Sequence, residues 1–122
     1  MRSARLAGAE VVGVAASTPE RAREAADRLR VERAFGSPEE LATADGVDVV
    51  HVCTPNRLHA PLAEAALNAG KHVVCEKPLA MTAAESGELL QLARASGRVH
   101  CVNFNIRFYP LLQHARALVR AG

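Results

Sequence analysis

Short apolar runs of strand length alternate with segments of helical periodicity from Val11 to the end of this chain, and that alternation constrains its fold more than any other feature. Val11 to Ala16 (VVGVAA) is a continuous apolar run suited to a strand buried on both faces. Val47 to Cys53 (VDVVHVC), His72 to Cys75 and Val99 to Phe104 repeat the signal, and a weaker strand is expected over Glu32 to Phe35. Between them, Thr18-Pro19-Glu20 and Ser37-Pro38-Glu39-Glu40 read as helix starts: a capping hydroxyl, a proline in the first turn, then an acid at the positive end. The first helix carries Ala22, Ala25, Ala26 and Leu29 on one face. Arg57 to Ala69 and Thr82 to Ser96 are helical and stop at Gly70 and Gly97, and Leu111 to Ala121 is a last helix. Strand–helix alternation of this kind predicts an α/β fold with a doubly wound parallel sheet.

Composition narrows the function. The chain has 122 residues, one domain or a piece of one. A net charge of +2, with no basic run and no Trp, argues against nucleic acid as a partner. The N-terminal segment resembles an export signal only superficially, because Glu10 interrupts it, and no run is long enough to span a membrane. A cytoplasmic location is expected. Cys53, Cys75 and Cys101 form no CxxC pair and read as free, buried thiols of a reducing compartment, with a catalytic thiol at Cys75 as the minor alternative. His51, His59, His72, His100 and His114 show no HExxH spacing and no accompanying carboxylate cluster, so no metal site is expected.

In a doubly wound sheet, ligands bind beyond the carboxyl ends of the strands. Ala16-Ser17-Thr18, Thr54-Pro55-Asn56, Glu76-Lys77-Pro78 and Asn105-Ile106-Arg107 all fall there. Pro78 biases Lys77 towards an extended backbone just off a strand. Of 15 basic residues only Lys71 and Lys77 are lysines, which suits a position needing a compact, titratable amine. A surface lysine paired with Glu76 is the alternative. Thr54 to His59 joins a strand to a helix N-terminus, where backbone N–H groups can receive a phosphate or ribose oxygen. Asn56 serves equally as a helix cap there, and a single His on a first helical turn, such as His59, is more often structural.

The stretches VDVVHVCTPNRLHAPLAEAALNAGKHVVCEKPLAMTAAES and VHCVNFNIRFYPLLQHAR resemble the Gfo/Idh/MocA family, which includes glucose–fructose oxidoreductase and inositol dehydrogenases. The order of CTPN-x-x-H, AGKHVVCEKP and N-x-RF-x-P carries the resemblance, from about Glu10 onward. It implies an N-terminal Rossmann domain that binds NAD or NADP, and a C-terminal domain that holds a sugar, polyol or related carbinol for hydride transfer. By this analogy Lys77 touches the reacting hydroxyl, Glu76 fixes the cofactor's ribose, Pro55, Asn56 and His59 line the cleft, and Arg107 lies near the nicotinamide.

The chain departs from that pattern in two places. No G-x-G-x-x-G turn occurs, and Arg2 to Ala9 reads as the tail of the first helix, so the first strand and its loop are expected to be missing. Residues 1–122 then form a partial Rossmann domain without its substrate domain, and sequence before Met1 and after Gly122 is expected to supply the rest. The missing strand is the central one, so the strands at Val11 to Ala16 and Val47 to Cys53 would lose their shared neighbour. Unpaired buried backbone groups cost roughly 1–3 kcal/mol each, against about 5–15 kcal/mol for a whole domain. A marginal chain, or one that self-associates through open sheet edges, is expected. At the end of the second strand, Ser17 and Thr18 stand where an acid normally takes the NAD 2′-hydroxyl, with Arg21 one turn on. That leans towards NADP, although these residues also suit simple helix capping. The competing readings are a non-catalytic binding or assembly remnant and, disfavoured by the EKP and NIRF motifs, another nucleotide-handling α/β fold such as a methyltransferase.

Overall fold

The computed structural model describes residues 2–122. A short helix α1 (Arg2–Leu6) precedes strand β1 (Gly13–Ala15) and helix α2 (Pro19–Leu29). Thr18 Oγ1 caps α2 by accepting the Arg21 N–H at 3.3 Å, and Pro19 sits in the first turn. The far end of α2 is tied down by Arg5, whose guanidinium donates to the carbonyls of Leu29 and Arg30. Strand β2 (Arg33–Phe35) and helix α3 (Pro38–Thr43) follow, the latter capped by Ser37. The remaining elements are β3 (Val49–Val52), α4 (His59–Asn68), β4 (His72–Cys75), α5 (Ala83–Ser96), β5 (His100–Val102) and α6 (Pro110–Ala121). Thr82 and Glu85 form a reciprocal capping box on α5, and Gly97 ends it at φ 64°, a left-handed conformation that glycine adopts without penalty. Arg57 and Leu58, expected as the start of α4, belong instead to a tighter 3₁₀ turn, Asn56–Leu58.

All strand pairs are parallel. They form two separate sheets, β1-β2 and β3-β4-β5, so among the described residues β1 and β3 each keep one edge with no strand beside it. One core nonetheless joins both halves: Phe35 and Ala42 pack with Val50, Val52, Leu62, Ala66, Val73 and Leu89. Helices α4 and α5 supply its cover, with Ala63, Leu67 and Ala93 facing the strands. Gly13 is explained by that core, since a side chain there would overlap the Phe35 ring.

Burial follows strict alternation along β3: Val50 and Val52 are buried while Val49 and His51 are exposed. The run expected to be buried on both faces, Val11 to Ala16, is instead half-buried throughout, and β3 is covered on one face only. The cysteines change accordingly. All three are free, but only Cys75 is buried, while Cys53 and Cys101 lie exposed on the open face. The segment after β5 adds further apolar surface, with Phe104, Ile106, Phe108, Leu111, Leu118 and Val119 all exposed. Among the described residues no helix is long and apolar enough to cross a membrane.

Candidate functional site

The carboxyl ends of β3, β4 and β5 lie side by side, and side chains lock the loops that leave them. The first lock is His59. Its ring is 1% exposed. Nδ1 lies 2.6 Å from the Pro78 carbonyl oxygen and Nε2 lies 2.8 Å from that of Thr54. Both neighbours are backbone carbonyl oxygens, so the ring faces main chain on both sides. His59 thus joins the CTPN loop to the EKP loop from below, spending its polar atoms on backbone rather than on open solvent. Thr54 Oγ1, beside this lock, is buried and has no hydrogen-bond partner among the described residues.

The second lock was not legible in the sequence. Asn103 Nδ2 donates to Glu76 Oε1 at 2.6 Å and ties β5 to β4. This hydrogen bond is the main reason the Glu76 carboxyl is held below its ordinary pKa, with the Lys77 backbone N–H and the charges of His51 and Lys77 acting in the same direction. Glu76 therefore stands as a carboxylate at the strand end, in position to accept hydroxyl hydrogens. Its partner is Asn103, and no ion pair with Lys77 is present among the described residues. Lys77 and Pro78 are exposed and joined by a cis peptide bond.

The other predicted residues sit apart from this cluster. Ser17, Thr18 and Arg21 cluster at the β1–α2 turn, where Arg21 Nη1 donates to Ser17 Oγ at 3.2 Å. Pro55 and Asn56 are exposed at the mouth of the β3–α4 turn. Asn105 and Arg107 lie on an exposed 3₁₀ turn, with the Arg107 guanidinium over the Phe108 ring at 5.6 Å. A cavity of about 190 Å³ lies elsewhere, between the helices and β4–β5, lined by Leu67, Val73, Leu79, Leu89 and Ala93 among others. Its walls are almost wholly apolar and offer a dinucleotide nothing to bind.

Cys75 does not suit nucleophilic chemistry. Burial, reinforced by the nearby Cys53, Glu76 and Cys101, pushes its thiol up to about 11. At pH 8 about one part in a thousand of such a thiol is thiolate. Titration of the native protein with a thiol-reactive disulfide reagent should label Cys53 and Cys101 first, with Cys75 reacting only on unfolding. Prompt labelling of Cys75 would contradict its burial.

Comparison with known proteins agrees with the geometry. The family described as "Oxidoreductase family, NAD-binding Rossmann fold" (Gfo/Idh/MocA) matches residues 2–104. The chain is 38% identical over 109 residues to levoglucosan dehydrogenase of Pseudarthrobacter phenanthrenivorans, covering 89% of this chain and 28% of that protein. It is 37% identical over 110 residues to the NADP(+) D-xylose 1-dehydrogenase 2 of Haloferax volcanii, covering 90% of this chain and 34% of that protein. A solved levoglucosan dehydrogenase in complex with NADH and levoglucosan superposes with a TM-score of 0.84 at 38% identity, over 92% of this chain and 30% of that one. The chain thus spans about a third of the length of the relatives it matches. With motifs, parallel strand order and superposition in agreement, this chain belongs to the Gfo/Idh/MocA oxidoreductase family and represents its NAD-binding Rossmann part.

Proposed function

We propose that this chain is the nucleotide-binding portion of an NAD(P)-dependent oxidoreductase that oxidises or reduces a sugar, polyol or related CH–OH substrate. The observation that carries this reading is the locked row of strand ends: His59 fixes the Thr54 and Pro78 loops, and Asn103 fixes Glu76. Thr54, Pro55, Asn56, Pro78 and Asn105 would border the dinucleotide. The Glu76 carboxylate would accept a ribose hydroxyl, and Arg107 would stand towards the nicotinamide. The bound cofactor supplies the hydride acceptor or donor. Lys77, exposed beside Glu76, would meet the substrate hydroxyl, polarise it and relay its proton. The free cysteines suit a reducing cytoplasm.

Calorimetric titration of the monodisperse chain with NADPH and then NADH tests the proposal. Saturable binding that weakens in Asn56→Ala is expected. A folded, monodisperse chain that binds neither nucleotide would refute it. Relatives that name NADP(+) and NADH are both present, so the preference is assigned here from Arg21. Arg21→Ala should weaken NADPH by about tenfold, the cost of a charge-assisted contact near 1.4 kcal/mol, and leave NADH unchanged. Equal loss for both nucleotides would remove the NADP preference.

A second reading, an assembly module, is favoured by one observation: the open edges of β1 and β3 together with the exposed apolar segment from Phe104 to Val119. Self-association through these surfaces should appear as a concentration-dependent mass in analytical ultracentrifugation, and a constant monomer mass would exclude it.

A further inference from the structure

Parallel register places like-facing residues of neighbouring strands in rows. On the open face of β3-β4-β5, His51 pairs with Val74 and Val74 with Cys101. One step further the ladder continues, since the Glu76 N–H bonds the Val52 carbonyl at 2.9 Å and the Asn103 N–H bonds the Cys75 carbonyl at 2.8 Å. The next row is therefore Cys53, Glu76 and Asn103, with His51 two residues back on the same strand and the same side. Backbone pairing alone thus gathers an imidazole, a thiol and a carboxylate on one uncovered patch. One donor atom from each of His51, Cys53 and Glu76 lies within 4.8 Å of the others.

We propose that His51, Cys53 and Glu76 form a three-ligand site for a borderline divalent cation, zinc being the best match. The donor set is the argument for the metal. Nitrogen, sulfur and oxygen ligands together suit zinc, whereas an all-oxygen set would suit calcium or magnesium. Tetrahedral ligands at about 2.0–2.3 Å stand about 3.3–3.8 Å apart. Exposed His51 and Cys53 side chains can close the remaining distance by rotation, without disturbing the core on the other face. Asn103 already holds Glu76 Oε1, which orients the carboxylate, the kind of outer support that metal carboxylates receive. On binding, the Cys53 thiol loses its proton to solvent and coordinates as thiolate. Three protein ligands leave a fourth position for water. The sequence gives no hint of this site because its spacing runs across the sheet. The site does not depend on the nucleotide reading, although both call on Glu76, so zinc and dinucleotide should compete.

The test uses the untagged, metal-free full chain without nucleotide. Zinc chloride is titrated by calorimetry, and cobalt(II) by absorption, where a thiolate-to-cobalt charge-transfer band reports Cys53 directly. One equivalent per chain is expected. Cys53→Ser should abolish the band, and Cys53→Ser and His51→Ala should each weaken zinc by about 100-fold or more, with Asn103→Ala costing about tenfold. Cys101→Ser, one row back, should change neither signal. Far-UV circular dichroism checks that each variant keeps the parent fold. Absence of saturable binding to the parent chain would overturn the proposal. So would a cobalt band that survives in Cys53→Ser or disappears in Cys101→Ser.

Discussion

His59→Ala is expected to lower the free energy of unfolding by about 3–5 kcal/mol, as read from urea denaturation followed by circular dichroism. Two costs combine. Removing a ring that is 1% exposed leaves a cavity in the packed interior, and large-to-small changes of this kind cost about 2–5 kcal/mol. The carbonyls of Thr54 and Pro78 also lose their ring contacts, at about 1–3 kcal/mol for a carbonyl left without a donor that water does not reach. The costs overlap, because a cavity that admits water repairs a carbonyl. Set against about 5–15 kcal/mol for a whole domain, the loss is a large share of what a chain with its strands split into two sheets possesses. His59→Gln should recover part of it, since an amide can donate to one of the two carbonyls. A value for His59→Ala within about 1 kcal/mol of the parent would mean that His59 is not the lock between the loops.

Legibility from sequence followed the range of the physics. Caps and stops are local, and Thr18, Ser37, Gly70 and Gly97 act where the sequence puts them. Strand identity was nearly as plain, with His72–Cys75 found over its predicted span and the others shorter than their apolar runs. What escaped was set across strands. Nothing near Asn103 in the chain points to Glu76, 27 residues away, and only the register brings them together. The same register gathers His51, Cys53 and Glu76. Burial of Cys53 and Cys101 was misjudged because Val-rich runs signal a strand without saying whether both its faces are covered. His59 was weighed between ligand contact and structure, and its two carbonyl partners give it a structural task that holds the candidate site in shape.

Lys77→Ala carries the largest expected effect on chemistry. In an enzyme whose nucleotide half is this chain, kcat should fall by about 10²–10⁴-fold, the usual worth of a positioned proton-transfer group. The side chain is exposed and outside the core, so the substitution leaves the fold intact and the loss is read as chemistry. Lys77→Arg separates the two tasks proposed for the amine. A guanidinium keeps the positive charge that polarises a hydroxyl but does not give up a proton near neutral pH. Activity restored by arginine would assign Lys77 an electrostatic task alone. Failure of arginine to rescue, with NADPH affinity held close to the parent in both variants, would assign it the proton. If kcat in Lys77→Ala stays within about threefold of the parent, less than 0.7 kcal/mol of barrier, Lys77 is a solvated surface residue and the proton must leave through a group of the substrate-binding half.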